Sequence, residues 1–308
     1  MNSRKPVNLI VICGANASGK TRLGVEVARR VKGEIISMDS RQVYRGMDIG
    51  TGKDREEYRT PEGTVPSRLI DIVDPAHVYT LWEFQRDFYR AFRDIRSRGA
   101  MPVAVGGTGL YVEAVLKHYR LPNVPENPAL RRELAAQPKE TLESRLKRLD
   151  PDLYARTDRS STKRLVRGLE VALYGRDHTI RWGHENPPEL RPYVVGVRWD
   201  RAALRERIRR RLDSRFEAGL VDEVRRLLAG GIDRGRFDLF GLEYKYVARF
   251  LDGEVLWEQM RGELLTAIGR FAKRQETYLR GMARRGIPIH WVEGADKERA
   301  LEEIVGKI

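Results

Sequence analysis

Thiol chemistry is almost missing from this chain of 308 residues, which carries a single cysteine, Cys13. One thiol excludes an internal disulfide framework and a thiolate zinc cluster, and it points to a reducing, cytoplasmic setting. Histidine is sparse too: His77, His118, His178, His184 and His290 are scattered, with no cysteine or clustered carboxylate spaced to complete a metal site. No apolar run approaches the ~20 residues of a membrane span. The opening Met1-Asn2-Ser3-Arg4-Lys5 leads into an apolar strand pattern rather than a signal-peptide core. The expectation is a soluble, unexported protein with no membrane partner. Internal repeats and low-complexity tracts are lacking as well, and 41% hydrophobic residues suffice for one large domain or two.

Positive charge, by contrast, is in excess, at a net +14. The surplus is concentrated: Arg201 to Arg215 and Arg261 to Arg285 each hold seven basic and two acidic residues, and Arg156 to Arg181 holds seven and three. Solvated helix faces in an arginine-rich proteome are one reading. Confinement to three segments favours a polyanionic partner.

The chemistry begins at Leu9-Ile10-Val11-Ile12-Cys13, a short β-branched run that enters G-x-x-x-x-G-K-T at Gly14 to Thr21. Leu23, Val27 and Val31 then share one helix face. Strand, glycine loop and helix N-terminus in this order form a phosphate cradle: Gly14 and Gly19 let backbone N–H groups turn inward, and the helix end adds partial positive charge. Lys20 is suited to phosphate oxygens, and the Thr21 hydroxyl to a magnesium ion bridging them.

Strands and helices alternate from there. Further strands are expected at Glu34 to Met38, Leu69 to Val73 and Met101 to Val105, with a helix from Leu81 to Arg98 whose Phe84, Phe88, Phe92 and Ile95 belong to the core. Asp39 and Thr108 each follow a strand end and should face the site, because ligands in such folds bind past the carboxyl ends of the strands. After about Glu113 the alternation stops, and it resumes at Tyr193 to Val197 and Ile287 to Val292. The fold class expected is α/β, a mainly parallel sheet in a P-loop NTPase-like core (1–112 and 186–308) with a helical insertion (113–185). Within the insertion Leu165, Val166 and Leu169 share one helix face and Lys163, Arg164 and Arg167 the opposite one. A helix over Leu264 to Arg285 sets Leu264, Ile268, Phe271, Leu279 and Met282 against Arg270, Lys273, Arg274, Arg280 and Arg284. Two basic stripes of this kind suit a nucleic-acid backbone.

Several longer runs add to these patterns. They are Ser37-Met38-Asp39-Ser40-Arg41-Gln42-Val43-Tyr44-Arg45-Gly46-Met47-Asp48-Ile49-Gly50-Thr51, Leu69-Ile70-Asp71-Ile72-Val73-Asp74-Pro75, Gly106-Gly107-Thr108-Gly109-Leu110-Tyr111, Lys163-Arg164-Leu165-Val166-Arg167-Gly168-Leu169-Glu170 and Phe271-Ala272-Lys273-Arg274-Gln275-Glu276-Thr277-Tyr278. With the phosphate loop, the chain resembles the tRNA dimethylallyltransferase (tRNA isopentenylpyrophosphate transferase) family almost from end to end. In the absence of a cysteine-histidine zinc finger it looks like the bacterial form. It departs from the family pattern at Asn16, where threonine is usual, at Gly52-Lys53-Asp54 in place of A-K-P, at Ser67-Arg68 in place of a histidine pair, and at Phe240 to Lys245.

The resemblance implies transfer of a dimethylallyl group from dimethylallyl diphosphate to the exocyclic amine of the adenine 3′-adjacent to the anticodon, with loss of diphosphate. It implies a donor held by Gly14, Ala15, Asn16, Ala17, Ser18, Gly19, Lys20 and Thr21, with Arg207 and Arg211 closing over the diphosphate and Mg2+ on Thr21. Asp39 is cast as the base and Thr108 as its orienting partner, although a P-loop alone would equally make Asp39 a second magnesium carboxylate. The tRNA anticodon stem-loop is expected along Asp39, Ser40, Arg41, Gln42 and Thr108, at Arg131, along Lys163, Arg164, Leu165, Val166 and Arg167, and at Lys273 and Arg274. A monomer is expected. The competing readings are an adenylate isopentenyltransferase acting on a free nucleotide, a P-loop small-molecule kinase, and an RNA-binding protein with a decayed loop.

Overall fold

The computed structural model describes residues 6–308; the Met1-to-Lys5 lead-in lies outside the described residues. Two compact units are present, one running to Lys117 and resuming at Pro188, the other spanning His118–Pro187.

The larger unit is built on β1 (Leu9–Gly14), α1 (Lys20–Arg30), β2 (Gly33–Ser37), a small hairpin of β3 (Arg59–Thr60) and β4 (Gly63–Thr64), and β5 (Ser67–Arg68). It continues through α2 (Leu81–Ser97), β6 (Met101–Gly106) and α3 (Gly109–Leu116). After the second unit it resumes with β7 (Pro192–Arg198), β8 (His290–Glu293) and, around them, helices of the C-terminal third. Six strands form one sheet in the order β5-β2-β6-β1-β7-β8, every pairing parallel. Alternation along β1 sends Leu9, Val11 and Cys13 into one core and Ile10 and Ile12 into the other, so both faces must be covered. Cys13 shows the consequence: burial pushes its thiol up to about 12, and Sγ donates to the Val195 carbonyl at 3.3 Å.

Helix α2 starts where its sequence says it should. Thr80 and Glu83 form a reciprocal capping box, and Phe84, Phe88, Phe92 and Ile95 are buried in the core that also holds Tyr111. The expected strand at Leu69 to Val73 does not form; its place is taken by β5, two residues earlier. Leu69 and Asp71 have φ of 63° and 56°, and two left-handed residues so close together cannot keep an extended backbone. The segment docks instead on the preceding loop, with the Asp71 and Ile72 N–H groups donating to Gln42 and Val43 carbonyls at 3.0 and 2.8 Å. The last strand also begins late. Ile287 gives its N–H to the Met282 carbonyl at 3.0 Å, closing the preceding helix rather than entering the sheet.

Helix α3 stays with the sheet, so the expected boundary at 113 falls inside it. Glu113 is buried there and accepts from Arg285 Nε at 2.7 Å and from the Tyr278 hydroxyl at 2.7 Å. The second unit contains α4 (Pro128–Ala135), α5 (Lys139–Leu149), α6 (Pro151–Arg156) and α7 (Thr162–Asp177), packed around Leu134, Leu142, Leu146, Leu165 and Leu169. The C-terminal third of the larger unit adds α8 (Arg201–Glu217), α9 (Leu220–Ala229), α10 (Phe237–Phe240), α11 (Leu242–Leu251), α12 (Trp257–Arg284) and α13 (Lys297–Val305). Among the described residues no helix is long and apolar enough to cross a membrane.

Candidate active site

The phosphate loop is shaped by residues that turn its carbonyls away from its mouth. Gly19 has φ 82°, and Ala17 adopts φ 61° despite its Cβ. The Ala15 carbonyl accepts from the Ser18 N–H at 3.2 Å and from Lys20 Nζ at 3.3 Å. Arg207 Nε takes the Ala17 carbonyl and Trp199 Nε1 the Ser18 carbonyl, each at 2.8 Å, and the Arg207 guanidinium lies 4.2 Å from the Trp199 ring centroid. With its carbonyls engaged, the loop presents N–H groups and the first turn of α1, whose amides have no helical acceptor. Arg207 thus braces the loop through Nε, and its side chain also lines the open cleft beside Gly19, Lys20 and Thr21. Asn16 and Ser18 differ from the rest of the cradle, because their N–H groups are already taken, that of Asn16 by Gln275 Oε1 at 2.9 Å and that of Ser18 by the Ala15 carbonyl.

Lys20 is buried beneath the loop. Burial, then the Arg211 charge, lower its pKa to about 8, against the pull of Asp39, Asp54 and Glu57. A lysine so placed is poised to gain from an arriving anion.

One pocket gathers most of the residues expected on it: Asn16, Lys20, Thr21, Asp39, Arg41, Gln42, Thr108 and Arg211 all line it. Asp39 follows β2, is half-buried, and accepts the Arg41 N–H at 2.9 Å through Oδ1. The Ser40 N–H donates to Thr108 Oγ1 at 3.3 Å, tying the turn after β2 to the turn after β6. Gln42 is more strut than ligand: Oε1 accepts from Ser37 Oγ at 2.8 Å and Nε2 donates to the Gly52 carbonyl at 2.9 Å. Lys273 and Arg274 are exposed on α12, and the Arg41 and Arg274 guanidiniums lie 5.3 and 5.6 Å from the Phe271 ring centroid.

Phe271, on the apolar side of α12, has a half-buried ring that lines the pocket. Gln275, Arg215, Glu243 and the Gly50-Thr51-Gly52 turn are pocket residues to which the sequence reading gave no role. For Gln275, Gly50 and Thr51 the signal was present, inside the longer motif runs, and Gly52 stood out as a departure from the family pattern. Arg215 and Glu243 pair with each other from α8 and α11, a contact without a local pattern.

The remaining expected residues belong to the helical unit, and their placement divides them. Leu165 and Val166 are buried in its core, so their side chains are not available to a ligand. Arg131 donates to Glu170 Oε1 at 2.9 Å and Oε2 at 2.7 Å, and Arg167 pairs with the same carboxylate and donates to the Val124 carbonyl at 2.9 Å. Burial alone would raise the Glu170 pKa. The hydrogen bonds from Arg131, the Asn127 N–H and Arg167 outweigh it and hold the carboxyl below its usual range. Lys163 and Arg164 are exposed on α7, with Arg164 beside Asp158.

Among the described residues no group of three or more histidines, cysteines and carboxylates could cage a metal ion. Thr21 and Asp39 do line one pocket with Lys20. The Thr21 hydroxyl is the group there that suits Mg2+, which keeps several waters and takes its other ligands from substrate phosphates.

The IPP transferase family model matches residues 42–282. A tRNA dimethylallyltransferase 2 of Citrifermentans bemidjiense is 52% identical over 287 residues, covering 93% of this chain and 91% of the relative. A tRNA dimethylallyltransferase 1 of Syntrophus aciditrophicus is 49% identical over 301 residues, covering 98% of each. The crystal structure of the full-length tRNA isopentenylpyrophosphate transferase from Bacillus halodurans superposes with a TM-score of 0.69 at 33% identity, covering 97% of this chain and 96% of that one.

Proposed function

Because this chain belongs to the IPP transferase family, we propose that it transfers a dimethylallyl group from dimethylallyl diphosphate to tRNA, on the exocyclic amine of the adenine 3′-adjacent to the anticodon, releasing diphosphate. The observation that carries the reading is a single pocket lined at once by the anion cradle of Lys20 and Thr21 and by the half-buried carboxylate of Asp39. A donor and an acceptor proton can be served there together.

In this reaction the adenine N6 attacks the allylic C1 of the donor. The N6–C1 bond forms as the C1–O bond breaks, and its electron pair leaves with the diphosphate. The loop N–H groups, Lys20 and Arg211 stabilise the charge gathering on the leaving group. Asp39 takes the proton from N6, and Thr108, bonded to the Ser40 N–H, fixes the turn that carries Asp39. Mg2+ held by Thr21, with Asp39 nearby, would add Lewis-acid stabilisation of the diphosphate. The adenine must leave its stack to arrive, which costs a few kcal/mol and least in a single-stranded loop. Lys163 and Arg164 on the helical unit and Lys273 and Arg274 on α12 are the basic groups we assign to the anticodon stem-loop backbone. A cytoplasmic monomer fits the single buried thiol and the presence of cradle, base and basic groups in one chain.

Radiolabelled dimethylallyl diphosphate offered to tRNA and to adenosine monophosphate side by side tests the proposal. Label in tRNA supports it. Label only in the nucleotide would identify an adenylate isopentenyltransferase, and ATP-dependent phosphorylation without prenyl transfer a kinase.

A further inference from the structure

Arg211 reaches the phosphate loop from α8, yet its guanidinium is held by a carboxylate of the chain itself, that of Asp54. The neighbourhood is built for this approach. Gly52 has φ 64°, and a Cβ there would collide with Arg215 Nη2 and lie 2.6 Å from Arg211 Nη2, so only glycine lets both guanidiniums press onto this backbone. Asp54 has φ 40°, a left-handed conformation that aspartate and asparagine tolerate better than most residues.

The other arginines on this face of α8 are committed elsewhere. Arg207 gives its Nε to the Ala17 carbonyl, Arg210 pairs with Glu206, and Arg215 with Glu243. Arg211 alone among them lines both the pocket with Lys20, Thr21 and Asp39 and an open cleft where Asp54 and Glu57 stand beside Gly19 and Lys20. The Asp54–Arg211 pair is partly exposed, with side-chain exposures of 36% and 30%, so it can open without stranding a buried charge.

We propose that Asp54 is an internal competitor for the donor's diphosphate. In the free enzyme Asp54 occupies Arg211; donor binding makes Arg211 exchange that carboxylate for diphosphate oxygens. After transfer Asp54 recaptures Arg211 and speeds release of the diphosphate product. The inference rests on the transfer reaction proposed above, in which Arg211 faces the leaving group. It makes Asp54 a positioning residue that trades donor affinity for turnover.

Asp54→Asn and Asp54→Gly both accept a positive φ and remove the charge, so the loop keeps its shape in at least one of them. Binding of inorganic pyrophosphate and of dimethylallyl diphosphate is measured by calorimetry for both variants and the wild type. Tightening by roughly three- to tenfold is expected in each, shrinking as salt is raised. With tRNA present, multiple-turnover transfer should slow relative to single-turnover transfer, and inhibition by added pyrophosphate should strengthen. Unchanged or weaker pyrophosphate binding in both variants overturns the proposal. The pyrophosphate measurement stands whether or not the wild type prenylates tRNA, so failure of the transfer reading is told apart from failure of this one.

Discussion

Gln275 Oε1 accepts the backbone N–H of Asn16 at 2.9 Å across 259 residues of sequence. The same side chain donates Nε2 to the Gly107 carbonyl at 3.0 Å, so one buried amide of α12 holds the phosphate loop and the turn before Thr108 at a fixed separation. Gln275→Ala leaves a donor and an acceptor unpaired, at about 1–3 kcal/mol each. We expect kcat/KM for the donor to fall by roughly ten- to a hundredfold. Gln275→Glu should lose more donor affinity than Gln275→Ala, because it cannot donate to Gly107 and sets a negative charge beside the cradle. Steady-state kinetics on both variants checks the order.

Lys20 supplies a pH dependence. Its pKa of about 8 in the free enzyme is lowered mainly by burial, and a bound diphosphate favours the charged form. Donor affinity is therefore level well below that value and falls as pH rises through it, with proton uptake on binding in the same window. Lys20→Ala should weaken donor binding, abolish this slope and leave tRNA binding nearly intact. Calorimetry in buffers of different ionisation enthalpy measures both the affinity and the proton uptake.

The basic residues of α7 should separate into two kinds. Lys163→Glu with Arg164→Glu is expected to weaken tRNA binding without lowering the melting temperature. Removing one phosphate ion pair should flatten the slope of log K against log salt by roughly 0.7–0.9. Arg131→Ala and Arg167→Ala should instead destabilise the helical unit, by about 1–3 kcal/mol, because each strips a partner from the buried Glu170 carboxylate. The Glu170 pKa is depressed in the folded state, so this stabilisation is present above the ordinary carboxylate pKa and is lost as pH falls through the folded value. Melting curves against pH and filter binding against salt distinguish the two kinds.

The parallel sheet and the phosphate loop were legible because they rest on local patterns: a buried β-branched strand, two glycines at fixed spacing, and a helix with one apolar face. The Leu69 to Val73 segment misled because a strand-like composition does not reveal that Leu69 and Asp71 take positive φ. Arg167 and Arg131 were expected on the tRNA, since nothing in the sequence says that Glu170, on the apolar side of α7, would draw both guanidiniums inward. Phe271 lay on the apolar side of a helix, and only the packed structure shows that the pocket, not the core, meets it. The unusual Gly52 and Asp54 were visible as departures from a family pattern. Their common cause, the approach of Arg211, is a contact across 157 residues that no local pattern reveals.

The proposed function turns on Asp39 removing the adenine proton in the pocket that it shares with the diphosphate cradle. Asparagine keeps the shape and an acceptor oxygen at this position and cannot take a proton, and general bases contribute roughly 10²- to 10⁴-fold. The decisive measurement is single-turnover prenyl transfer to tRNA by Asp39→Asn across a magnesium titration at several pH values. The prediction is a loss of that size in kcat and kcat/KM together, with KM for donor and tRNA little changed and no recovery at high magnesium. Recovery by magnesium, with weakened donor binding, would make Asp39 a metal ligand and contradict the account, as would wild-type rates in the variant.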